Sequence, residues 1–201
     1  MTSSSDIRQS LVEVDDSVLV VIDIQDSFLN KYDNAKTQAL VGKVAWLLQV
    51  AQHLDVPVVA MGEDIENVGP LNQVVQDALP EGTRVHSKDA FNLADNPEIL
   101  AAVAATGRKT AVCVGVETDV CVAQSALGLL GQGYRVAALQ DAVATTEADE
   151  AIGLARMREA GVAILSVKAL YFEWLRSVSR SRALRNKAGE LEALRPSSLV
   201  L

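Results

Sequence analysis

Short apolar runs, most of them rich in β-branched residues, alternate along the chain with longer stretches in which apolar side chains recur every three or four positions. Ser17–Ile24 (SVLVVIDI), Val56–Met61, Thr83–His86, Thr110–Val116, Arg135–Leu139 and Val162–Val167 are of the first kind. Continuous apolarity over so few residues marks strands covered on both faces, as in a parallel sheet. Gln38–Leu54 is of the second kind and places Leu40, Val44, Leu47, Leu48 and Ala51 on one helical stripe. Leu71–Leu79, Pro97–Ala105, Asp119–Leu130 and Glu147–Ala160 follow the same period. Gly107 and Gly161 each fall between a helical stretch and a strand, where a glycine ends a helix at little cost. Six strands joined by helices predict right-handed crossovers and an α/β fold. The expected architecture is a three-layer α/β/α sandwich around a six-stranded, mostly parallel sheet.

The 201 residues suit one domain, 1–201, with a core over about 11–175 and a helical tail over 176–201. In the tail, Arg176, Arg180, Arg182, Arg185 and Lys187 form a basic cluster, followed by Glu190 and Glu192. Such a run reads as a solvated helix or as an arm that docks on another subunit. With 49% hydrophobic and 22% charged residues, the chain can bury a sizeable core, which excludes disorder. The net charge of −8 argues against nucleic acid and anionic membrane as partners, because phosphates call for surplus lysine and arginine. No apolar run approaches the ~18–20 residues of a membrane helix. Met1–Ser10 is polar and does not read as a secretory leader. Two cysteines are too few for a disulfide framework, so a cytoplasmic protein with reduced thiols is expected.

Ligands of open α/β sheets bind at the carboxyl ends of the strands. Asp23 ends the first strand in VVIDIQDSF, and Lys88 follows the third in RVHSKDAF. Cys121 lies just beyond the fourth, in VCVGVETDVCVAQSAL, where a helix begins and its positive end favours an anion. A carboxylate, an ammonium and a thiol would thus share one rim. Singly, each has a plainer reading: a loop cap, a solvated lysine, a small core residue. Cys113, inside the fourth strand, takes that plainer reading. His53 reads as a helix C-terminal cap and His86 as a strand residue. The stretch after the second strand, MGEDIENVGP, holds no histidine, so neither a metal nor another cofactor is expected.

VLVVIDIQDSF, KDAFNLADNPEI and GVETDVCVAQSAL together resemble the isochorismatase-like cysteine hydrolases, over most of the chain from Ser17 to Leu175. The third motif is the most specific. The resemblance implies a catalytic triad of Asp23, Lys88 and Cys121 that cleaves an amide or related C–N bond of a small molecule through a thioester. It also implies an oxyanion held by the backbone N–H groups of Glu117 and Cys121, and a cis peptide between Val116 and Glu117. Lys88 and the helix end are expected to favour the thiolate, with Asp23 taking the proton. A homo-oligomer, dimer or larger, is implied, with Phe172, Trp174 and Leu175 as apolar contacts. The missing histidines separate the chain from metal-dependent nicotinamidases, and Cys121 separates it from vinyl-ether hydrolysis. Phe28, Glu63, Asp64 and Tyr171 are candidate substrate contacts by position. Two other functions stay open: a redox sensor built on Cys121, for which Cys113 is a poor resolving partner, and a non-catalytic oligomeric scaffold, which needs none of the three residues.

Overall fold

The computed structural model describes residues 11–201; the polar stretch Met1–Ser10 lies outside them. Six strands, β1 (Ser17–Ile22), β2 (Val58–Glu63), β3 (Val85–Lys88), β4 (Thr110–Val116), β5 (Arg135–Ala144) and β6 (Ala163–Leu165), form one sheet in the order β3-β2-β1-β4-β5-β6. Every neighbouring pair is parallel. The helices are α1 (Asp26–Leu29), α2 (Asn34–His53), α3 (Ile65–Val68), α4 (Gln73–Ala78), α5 (Pro97–Ala105), α6 (Ala123–Gly131), α7 (Ala151–Glu159), α8 (Val167–Leu175), α9 (Val178–Lys187) and α10 (Glu190–Leu194). The three-layer sandwich follows from strand geometry. Along β1, Leu19 and Val21 enter one apolar layer with α2 and α8, while Val18, Val20 and Ile22 enter the other with α5, α6 and α7. None of the described helices is long and apolar enough to cross a membrane.

Local chemistry sets the helix starts. Asp33 caps α2 by accepting from the Lys36 N–H, and Ser166 caps α8 by accepting from Ala169. Two elements depart from the expected bounds. β5 runs on to Ala144, past exposed Gln140, because Val143 and Ala144 pair with Gly115 and Val116 after a register shift in β4. α7 begins at Ala151 rather than Glu147.

The tail lies on its own chain. Leu184, Leu191 and Leu199 are buried in the layer built on α2 and α8, and Trp46 Nε1 donates to the Leu191 carbonyl at 2.8 Å. Arg176, Arg180, Arg182 and Arg185 are exposed and Arg195 is half-buried, so the tail packs chiefly by its apolar stripe. Trp174 and Leu175, expected at a subunit contact, are instead 0% and 1% exposed in the protein's own core. Trp174 Nε1 donates to Ser17 Oγ at 3.0 Å, which satisfies its polar edge inside the core. Phe172 alone of that trio is exposed.

Candidate active site

The order of the strands reverses between β1 and β4, and the residues following these two strands face each other there, at the usual ligand crevice of an open sheet. Gly115 permits the close approach. Its φ is +133°, and a Cβ at this position would lie 1.9 Å from the Ile22 carbonyl oxygen. Asp23 leaves β1 with φ +52°, its N–H donating to the Met61 carbonyl at 3.0 Å. Lys88 is the last residue of β3 and the register partner of Glu63, the last residue of β2. The Val116–Glu117 peptide is cis, and Thr118–Val122 then forms a π-helical turn leading into α6. Val122 donates to the Glu117 carbonyl at 3.1 Å, five residues back, and Cys121 sits inside this turn. The loop after Lys88 docks on α6: Leu93 N–H donates to Ser125 Oγ at 3.0 Å, and Ser125 Oγ donates to the Phe91 carbonyl at 3.3 Å.

These elements bring four side chains together. Lys88 Nζ stands 2.8 Å from Asp23 Oδ2, 3.5 Å from Cys121 Sγ and 3.8 Å from Glu63 Oε2. The Cys121 thiol donates to Glu63 Oε2 at 3.5 Å. The side chains of Asp23 and Lys88 are fully buried, whereas that of Glu63 is 22% exposed. Asp23 Oδ1 has no hydrogen-bond partner among the described residues. Burial raises the Asp23 carboxyl to about 6, against the pull of the adjacent ammonium. Burial works against the Lys88 ammonium, yet the charge and hydrogen bond of Asp23, with Cys121 and Glu63, hold it above its ordinary value. The Cys121 thiol is pushed up by burial, then by Asp23 and Glu63, with Lys88 opposing. Two carboxylates and a desolvated pocket thus work against the pull of Lys88 on the sulfur.

Asp23, Glu63 and Cys121 offer ligand atoms that lie within 4.8 Å of one another, a set of donor types that suits a metal. Lys88 Nζ is within 3.8 Å of an atom of each, so an ammonium also sits among these donors.

The other candidates divide. Phe28, on α1, lies under the Lys31 ammonium at 4.8 Å, and Lys31 pairs with the Glu117 carboxylate at 3.4 Å; Phe28 is thereby linked to the segment that follows β4. Asp64 donates its N–H to the Lys88 carbonyl at 2.8 Å, while its carboxylate accepts from Asn67 at 2.9 Å. Tyr171 is not brought to the thiol. It is buried in the opposite layer against Trp46, with ring centroids 5.2 Å apart, because α8 packs on the other face of the sheet. Cys113 is buried within β4, and burial pushes its thiol to about 12. His53 Nδ1 contacts the Gln49 carbonyl at 2.9 Å and Nε2 contacts Glu190 at 3.0 Å, while His86 is buried on β3.

Sequence reasoning missed Gln25. Fully buried, it accepts from the Glu63 N–H at 2.8 Å and donates to the carbonyls of Glu63 and Gly69 at 2.8 and 2.7 Å. Its signal was an uncharged polar residue two places after Asp23, where the apolar run of β1 gives way to Asp26 and Ser27.

The family model for the isochorismatase domain matches residues 17–169. Isochorismatase family protein 1A of Dictyostelium discoideum is 30% identical over 165 residues, 78% of this chain and 77% of that protein. Among solved structures, the YcaC gene product of Escherichia coli, an octameric hydrolase of unknown specificity, has a TM-score of 0.79 at 23% identity, covering 92% of this chain and 94% of that one. N-carbamoylsarcosine amidase from Thermoplasma acidophilum has a TM-score of 0.65 at 20% identity, covering 76% of this chain and 96% of that one. At these identities the structural likeness concerns the fold.

Proposed function

This chain belongs to the isochorismatase-domain family of hydrolases, and from that premise we propose that it cleaves an amide or related C–N bond of a small molecule through a thioester on Cys121. The observation that carries the reading is a buried ammonium, Lys88, 2.8 Å from a carboxylate with a raised proton affinity and 3.5 Å from the only thiol at the rim. In the proposed reaction Asp23 accepts the thiol proton while sulfur bonds the carbonyl carbon. The backbone N–H groups of Glu117 and Cys121 take the oxyanion. The C–N bond then breaks, and the amine leaves with the proton from Asp23. Water, deprotonated by Asp23, attacks the thioester; the C–S bond breaks and the thiol returns. A carboxyl with a proton affinity near 6 suits both directions of transfer close to neutral pH.

The test is ammonia release from a panel of primary amides and carbamoyl compounds, with Cys121→Ala and Cys121→Ser beside the parent protein. Release by the parent, loss in both variants, and a mass increment on Cys121 during turnover are expected. Hydrolysis that survives in Cys121→Ala would overturn the proposal. Rapid sulfenylation by peroxide with no amide turned over would favour the sensor reading instead.

A homo-oligomer in the cytoplasm completes the proposal. Phe172 and Val178 expose apolar surface side by side in the chain's last third, and the E. coli YcaC product is octameric. Free buried cysteines fit a reducing compartment. Light scattering that returns only a 21.4 kDa particle at micromolar concentration would overturn the oligomer.

A further inference from the structure

Glu63 is the most exposed member of the quartet. Asp23 and Lys88 are sealed and Cys121 is 4% exposed, whereas the Glu63 side chain is 22% exposed with its carboxylate 3.5 Å from the sulfur. Asp23 and Lys88 pair at 2.8 Å, which leaves Glu63 as the second carboxylate of the site, 3.5 Å from the nucleophile. No arginine or histidine among the described residues pairs with any of the four side chains, and Lys31, which lies over Phe28, is engaged by Glu117. Carboxylate-bearing ligands call for such groups, above all for a forked guanidinium. The Glu63 backbone is pinned on both sides by Gln25, so the carboxylate is presented from a fixed strand end.

We infer that Glu63 selects the substrate by charge: the site takes neutral or cationic amides whose N–H groups the carboxylate accepts, and turns away those that carry a carboxylate beside the scissile bond. The inference rests on the reading of Cys121 as the nucleophile. It assigns Glu63 a role in choosing the substrate, separate from the proton transfers given to Asp23.

The test uses two methanethiosulfonate reagents of similar size, one ending in trimethylammonium and one in sulfonate. The Cys121 sulfur forms a disulfide with the reagent, methanesulfinate leaves, and the thiol proton passes to Asp23 or water. Rates are read by peptide mass spectrometry on the full chain. The cationic reagent is expected to label Cys121 faster, and Glu63→Gln is expected to lower the cation-to-anion ratio by about tenfold, the effect of one charge a few ångströms away in a partly hydrated site. Glu63→Asp keeps the charge and should keep the preference. A residue that merely shaped the site would slow both reagents alike. Equal rates in the parent protein, no labelling by the cation, or a ratio unmoved in Glu63→Gln would overturn the inference. A charge preference that vanishes in Glu63→Gln, in a protein that releases ammonia from no amide, would overturn the hydrolase reading and leave selection by Glu63 standing.

Discussion

Gln25 holds Glu63 from both sides of its backbone, accepting its N–H and donating to its carbonyl, each at 2.8 Å. The same amide nitrogen reaches the Gly69 carbonyl at 2.7 Å, so one buried side chain ties the end of β2 and the end of α3 to the residues after β1. Gln25→Leu keeps the volume and removes all three bonds. It should cost about 2–3 kcal/mol, since buried backbone groups lose their partners. For a chain of this size that is a fall in Tm of roughly 4–12 °C, read by thermal denaturation.

The pH dependence follows from Asp23. Its carboxyl must be ionised to take the thiol proton, and burial sets that ionisation at about 6. kcat/KM on the best amide should therefore fall as pH drops through about 6, and Asp23→Asn should abolish turnover without moving the Cys121 labelling site. Linkage runs the same way. A carboxyl raised above its ordinary 3.8 holds its proton more tightly when folded, so its contribution to stability is present at low pH and is lost as pH rises through about 6. Denaturant titrations of the parent protein and Asp23→Asn at pH 4 and pH 7 give the comparison.

Lys88→Met removes the one charge that opposes the upward push on the Cys121 thiol. It also removes the ammonium that holds Asp23 ionised, so the base becomes protonated as well. Turnover should fall by about a hundredfold or more, the usual worth of a positioned acid–base group. Iodoacetamide labelling of Cys121 at neutral pH should slow with it. Unchanged labelling would mean that the ammonium does not govern the sulfur.

Gly115→Ala would place a Cβ 1.9 Å from the Ile22 carbonyl oxygen at a φ of +133°. Both the clash and the backbone conformation oppose it, and neither partner is a flexible side chain. A loss of about 4 kcal/mol or more is expected, seen as insoluble expression or early urea unfolding. Cys113→Ala, on the same strand, should cost only about 1–2 kcal/mol and leave Cys121 labelling unchanged.

The sheet was readable because its strands are apolar on both faces, a pattern few other elements share. Asp23, Lys88 and Cys121 stood out for the converse reason: each is a chemically active residue where an apolar run stops. Their convergence was not readable, since 2.8 and 3.5 Å depend on how β1, β3 and β4 are ordered. Gln140 and Asp141 hid the second half of β5, whose pairing comes from the register of β4. Tyr171, Trp174 and Leu175 misled in a single way. Periodicity tells which side of a helix is apolar, but not whether the sheet, the tail or another molecule covers it. Gln25 went unseen because its value lies in three partners 38 to 44 residues away.

The π turn over Thr118–Val122 makes the aim of the sulfur a matter of counting. Such a turn holds one residue more than the α-helical turn that would replace it. Each residue of an α-helix rotates the side-chain direction by about 100°. In a chain lacking any one of Thr118, Asp119 or Val120 the cysteine would swing round by about that angle and face elsewhere. A single-codon deletion in this turn would thus part the Cys121 sulfur from Lys88 and Glu63 while leaving every residue of β1 to β6 in the chain.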